Sequence, residues 1–274
     1  MLLSSRTSLA VLLLVAATHL YGAAAARPHV LFIATDDLTA TLGCMGDPIA
    51  QTPNIDRLAR SGVLFTRAYC QQPLCNPSRA SMLTGLRPDA LKVYDLQTNF
   101  RTNPARMITL PQTFRNQGYF SARVGKIYHY GVPRQIGNSG MDDSDSWDLA
   151  INPRGRDKDE ESQLKVLTRG TGTTLGFAMA WREMPGTDAE ETDGIMVDEA
   201  IRVMERYGRT QPLWLGAGFF RPHTPFVATK RWFDLYPKEK FKLPPRPAGD
   251  TDDIPPIAMM IKPADYGLKE SDLL

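Results

Sequence analysis

The chain has 274 residues, 42% of them hydrophobic and 23% charged, with a formal net charge of +2. That balance describes a globular chain long enough for one sizeable α/β domain. With no basic run, nothing points to nucleic acid as a partner, and three cysteines are too few for a disulfide-rich scaffold.

Residues 1–26 differ from the rest. Arg6 gives a positive start, Leu9 to Ala17 is a short apolar core, and Ala23 to Ala26 offers Ala-x-Ala cleavage choices. This reads as a secretory signal peptide, hence an exported protein: periplasmic, secreted or lysosomal depending on the host. The apolar run is short for a membrane span; an uncleaved anchor is the other reading. The folded domain is taken as 27–274, and nothing in it reads as a transmembrane helix.

His29 to Ala34 is a short, nearly continuous apolar run, and it reads as a central strand of a parallel sheet. It ends in Thr35, Asp36 and Asp37. Ligands gather at the carboxyl ends of strands in open α/β sheets. Two adjacent carboxylates there suit a hard cation with oxygen ligands, or equally an exposed acidic turn capping the next helix. Cys44 and Cys70 read as two free thiols packed in the core, with a disulfide between them as the other reading.

Thr52 to Gly62 reads as a helix that Thr52 caps and Pro53 starts, with Ile55, Leu58 and Ala59 on one face. Val63 to Phe65 reads as a strand leading to Cys75. The run Cys75-Asn76-Pro77-Ser78-Arg79-Ala80-Ser81-Met82-Leu83-Thr84-Gly85 organises the chain. Pro77 fits a first helical turn, Met82 and Leu83 supply apolar contacts, and Gly85 ends the helix. Cys75 then sits just before a helix N-terminus, where amides and dipole favour a thiolate or a bound oxyanion. Arg79, one turn on, adds a fork suited to sulfate or phosphate oxygens. A buried cysteine before a capped helix is the plain alternative.

Thr109 to Gln117 reads as a helix stopped by Gly118, and Tyr119 to Val124 as a strand that delivers Lys126 and His129 to its end. Taken alone, these two read as a surface lysine and a structural histidine. Residues 131–192 read as loops and short elements, with the acidic stretch Asp142 to Asp148 as solvated surface. Asp193 to Tyr207 is an amphipathic helix, with Val197, Ala200, Ile201, Met204 and Tyr207 on one side. Leu213 to Phe219 is a third strand. Past it, Arg221-Pro222-His223-Thr224-Pro225-Phe226 is a loop whose prolines stiffen the backbone around His223.

The run from Pro73 to Gly85 resembles the signature of type I sulfatases, as do the strand ending in Asp36-Asp37, the phrase Gly118 to His129 and the loop Arg221 to Phe226. The resemblance extends from His29 to at least Phe226. Several phrases look nearest to the iduronate-2-sulfatase branch, including Thr41 to Asp47 and Arg87-Pro88-Asp89. It implies the alkaline-phosphatase-like fold and an enzyme that removes sulfate from a sulfated sugar. It also implies that a maturing enzyme oxidises Cys75 to formylglycine (3-oxoalanine). Calcium or magnesium would sit on Asp36, Asp37 and the oxygen at position 75. Arg79 and Lys126 would offset negative charge, with Lys126 contacting sulfate and formylglycine. His223 would protonate the leaving alcohol, and His129 would act as base when sulfate is expelled.

Family members continue beyond this length with a strand that brings two more metal ligands, so the resemblance implies the amino-terminal part of such a protein. Phosphoryl or phosphonate hydrolysis on the same fold, and glycan binding without turnover, are the competing expectations.

Overall fold

The computed structural model describes residues 27–102, 107–168, 175–241 and 247–259; the expected leader over residues 1–26 lies outside them. The described residues form seven strands: β1 (Val30–Asp36), β2 (Phe120–Gly125), β3 (Leu149–Ile151), β4 (Lys165–Val166), β5 (Ala180–Met184), β6 (Leu213–Pro222) and β7 (Phe226–Thr229). The main sheet has the order β1-β6-β2-β3, and every pairing in it is parallel. A smaller sheet, β4-β5-β7, flanks it. This is the mainly parallel α/β architecture expected from the sequence.

Four helices matter for the site: α1 (Pro53–Ser61), α2 (Cys75–Thr84), α3 (Leu110–Asn116) and α4 (Thr192–Tyr207). One face of the sheet packs Val30, Phe32 and Trp214 against Ala80 and Leu83 of α2, with Ile127, Tyr128 and Trp147 beside them. The other face packs Ala122, Val124 and Leu215 against Met196, Ala200 and Val203 of α4. Alternation along the strands sends successive side chains to the two layers. Each fully buried aliphatic side chain contributes about 1.5–3 kcal/mol of transfer free energy.

Register brings the strand ends together. Asp36 is level with Pro222, and Gly125 with Gly218. Gly125 has φ +76°, and a Cβ on it would lie 2.1 Å from the Gly218 carbonyl oxygen. A Cβ on Gly218 would in turn lie 2.1 Å from the Lys126 carbonyl oxygen. Only glycine permits this close crossing, and the crossing is what sets the backbone of Lys126.

Five local expectations need correction. Among the described residues β1 is an edge strand, not a central one, because it pairs with β6 on one side only. Its outward residues Leu31 and Ile33 are 48% and 54% exposed. Val63 to Phe65 forms no strand, and Val63 and Phe65 lie in the open with Ile55 and Leu58 of α1. β-propensity without a partner strand does not make a strand. Thr52 does not cap α1: its hydroxyl accepts from the Gly43 amide and donates to Asp56. The expected side of α4 holds in part: Ala200, Met204 and Tyr207 pack against the sheet, but Met196 and Val203 are also inside while Val197 and Ile201 are exposed. Cys44 and Cys70 are free, but Cys44 is half-buried and Cys70 exposed, so neither is packed in the core.

Candidate active site

Cys75 is the first residue of α2, with Leu74 as an extended N-cap, and Gly85 closes the helix in the left-handed region at φ 71°. The thiol therefore sits within the first turn rather than just ahead of it. From there Cys75 Sγ faces Asp37 Oδ1 at 3.6 Å. His223 Nε2 lies 3.7 Å from the other oxygen of Asp37. Asp37 itself is in the left-handed region at φ 59°, an uncommon backbone for a non-glycine residue that aspartate tolerates.

Beneath this layer, Asp36 is 2% exposed. Its Oδ1 accepts from Arg79 Nη2 at 2.8 Å, and its Oδ2 from Lys126 Nζ at 2.5 Å. Burial alone would raise the Asp36 pKa, but the Arg79 and Lys126 charges outweigh it and bring the carboxyl down to about 2. Arg79 Nη1 also donates to the carbonyls of Lys126 and Ile127 at 2.9 and 2.8 Å. Two of its five N–H donors remain for other acceptors.

Burial and the Asp36 charge push the Cys75 thiol up to about 11. The expected thiolate is therefore disfavoured: the helix N-terminus does not overcome desolvation beside a carboxylate, and the free thiol is a weak nucleophile. Burial, with Lys126 and Arg79 close by, pushes His129 down to about 3, so its imidazole is neutral. Its Nδ1 is buried without a hydrogen-bond partner among the described residues. His223 Nδ1 pairs with the Thr224 carbonyl at 2.6 Å, which places the proton on Nδ1 and leaves Nε2 turned toward Asp37.

A cleft of about 1290 Å³ opens over these groups and is lined by Asp36, Asp37, Cys75, Arg79, His129 and His223 among others. Gln72, Gln97, Arg134 and Phe177 form part of its wall. All seven residues singled out in the sequence thus converge. Lys126, however, is fully buried and reaches Asp36 rather than the cleft wall.

Among the described residues, Asp36, Cys75 and His223 offer ligand atoms that all lie within 4.8 Å of one another. The paired carboxylates suit a hard cation, yet both Asp36 oxygens already carry side-chain cations. Calcium takes about six to eight oxygen ligands, so Asp36 and Asp37 fit only part of such a shell.

The acidic stretch is solvated surface only in part: Asp145 and Asp148 are exposed as expected, while the other two aspartates are not. Asp143 is buried and forked to Arg101, Asp142 pairs with buried Arg123, and Asp148 pairs with Arg115. Sequence reading also passed over Asp157, Asp193 and Arg221, which lie behind the His223 loop. Arg221 stands inside the quoted loop phrase and was the one available signal.

The Sulfatase family model matches residues 28–269. Iduronate 2-sulfatase of Mus musculus is 35% identical over 236 residues, covering 84% of this chain and 41% of the mouse protein. A sulfatase of Formosa agariphila is 36% identical over 257 residues, covering 86% of this chain and 47% of that protein. The chain thus spans less than half the length of these relatives. Among solved structures, a phosphonate monoester hydrolase of Silicibacter pomeroyi superposes with a TM-score of 0.62 at 19% identity, covering 90% of this chain and 54% of that one; at that identity the likeness speaks for the fold. With the matched stretch running nearly end to end and the strand-end residues gathered in one cleft, the chain belongs to the sulfatase family.

Proposed function

We propose that this chain carries the nucleophile-bearing part of a sulfuric ester hydrolase that acts on a sulfated sugar, in the manner of iduronate 2-sulfatase. The observation that carries the reading is the convergence of Asp37, Cys75 and His223 over the buried Asp36–Arg79–Lys126 trio. One carboxylate against two cations leaves the buried trio net positive, and Asp37 above it balances that charge, so a cation held by the two aspartates would complete an anion site.

Formylglycine formed from Cys75 by a maturing enzyme would supply an aldehyde hydrate, which has one hydroxyl to attack sulfur and a second that gives sulfate an exit. Asp36, Asp37 and the oxygen at position 75 would be part of the shell of calcium or magnesium, a Lewis acid toward sulfate oxygens. Arg79 has donors to spare toward the cleft, and it would hold an equatorial sulfate oxygen. Lys126 acts from below, as a fixed charge through Asp36. His223, with its Nδ1 proton held by the Thr224 carbonyl, would in its doubly protonated form give the Nε2 proton to the departing alcohol. Neutral His129 would accept one when sulfate leaves. A signal peptide over residues 1–26, a sulfatase domain from 27 onward and export from the cytoplasm belong to the same reading.

Comparing release of sulfate from an aryl sulfate with release of phosphate from the matching aryl phosphate tests it. Preference for the sulfate ester supports the reading. Preference for the phosphate ester replaces it with phosphoryl hydrolysis, and binding of sulfated glycan with no release in either assay replaces it with a glycan-binding role.

A further inference from the structure

The loop that carries His223 is held from behind by side chains that do not line the cleft. At the first turn of α4, Asp193 accepts hydrogen bonds from the backbone amides of Phe220 and Arg221 at 2.8 and 3.1 Å. The Arg221 guanidinium donates to the carbonyls of His223 and Pro225 at 3.2 and 2.8 Å. Its other terminal nitrogen donates to Asp157 Oδ2 at 2.6 Å. Asp157 is itself 4% exposed, and its Oδ1 is held by the amide and hydroxyl of Thr192 at 2.9 and 2.5 Å.

Backbone groups on both sides of His223 are therefore tied to two carboxylates: Asp193, in the first turn of α4, and Asp157, which is hydrogen-bonded to Thr192 at the start of that helix. A surface loop needing only solubility would not bury an ion pair to hold its own carbonyls. The consequence reaches the ring: with residues 220 to 225 fixed, Nδ1 meets the Thr224 carbonyl at 2.6 Å and Nε2 faces Asp37 at 3.7 Å.

We propose that Asp157, Asp193 and Arg221 are positioning residues for His223, fixing its tautomer and the direction in which Nε2 exchanges a proton. The proposal rests on the reading of His223 as a proton donor to the leaving alcohol, but its test does not need turnover.

Long-range proton–nitrogen NMR of the histidine side chains, recorded on the full chain in alkaline solution, reads the tautomer directly. His223→Gln identifies the resonance. The wild-type ring is expected as a single Nδ1–H tautomer. In Asp157→Asn and in Asp193→Asn, which keeps one of its two acceptor oxygens and so the milder perturbation, His223 is expected as a mixture of tautomers while the His129 pattern stays unchanged. An unaltered single tautomer in both variants overturns the proposal. Where the wild type hydrolyses an aryl sulfate, both variants are expected to lose kcat by about 10²-fold with KM nearly constant; unchanged kcat also overturns it. A wild type that releases no sulfate counts against the proposed activity alone, and the NMR result still decides the positioning role.

Discussion

Arg79 and Asp36 form a buried ion pair at 2.8 Å, and the same guanidinium grips the backbone just past β2 through the carbonyls of Lys126 and Ile127. One side chain from α2 thus links the ends of two strands that are not neighbours in the sheet. Arg79→Ala leaves two buried carbonyls and half of a carboxylate unpaired. Removing one partner of a buried pair costs about 3–5 kcal/mol, and urea denaturation should show a loss of that order. A loss under about 1 kcal/mol, the range of exposed pairs, would mean the link is not structural.

Acid stability should carry the signature of His129. Its folded pKa is depressed from 6.5 to about 3, so between those values the unfolded chain binds a proton that the folded chain refuses. Stability is therefore full above the ordinary imidazole range and falls as pH drops through it. His129→Gln is expected to flatten this part of the stability–pH curve. An unchanged slope would indicate that the ring is not buried as described.

Glu191 behaves with the opposite sign. Its carboxyl is pushed up to about 7 by burial and by Asp157, so the ionised form is the costly one. Thermal melts should find Glu191→Gln more stable than wild type above neutrality. The difference should shrink as pH falls toward the ordinary glutamate range. A variant less stable at every pH would mean the carboxylate has an essential partner.

Two leucines separate buried from open apolar surface. Leu83 of α2 is fully buried, and Leu83→Ala is expected to cost about 2–5 kcal/mol. Leu58 of α1 is 65% exposed, and its truncation is expected to fall within about 0.5 kcal/mol of wild type. Chemical denaturation of both variants is the check, and equal losses would contradict the layering.

The sequence carried the site further than it carried the local structure. Asp36, Cys75, Lys126, His129 and His223 were legible through the family resemblance, since position alone left Lys126 a surface lysine and His129 a structural histidine; each stands at or just beyond a strand end or at a helix start, and register brings those ends together. What stayed hidden depends on packing partners remote in sequence. Val63 to Phe65 looks like a strand in composition, but strands need a neighbour. The bounds of the buried face of α4 were out of reach because Val197 and Ile201 are as apolar as the residues inside. The direction of Lys126 follows from a glycine crossing that only coordinates reveal. The acidity of Cys75 was misjudged for a related reason: its position suggested the helix dipole, while the carboxylate beneath it comes from 39 residues earlier in the chain.

Mass spectrometry of the proteolytic peptide containing residue 75, from protein made in its native host, addresses the proposed chemistry most directly. The expected result is a peptide whose mass matches an aldehyde in place of the cysteine side chain, and which reacts with a hydrazide probe. A peptide carrying only unmodified cysteine, from protein that nonetheless releases sulfate, would contradict it.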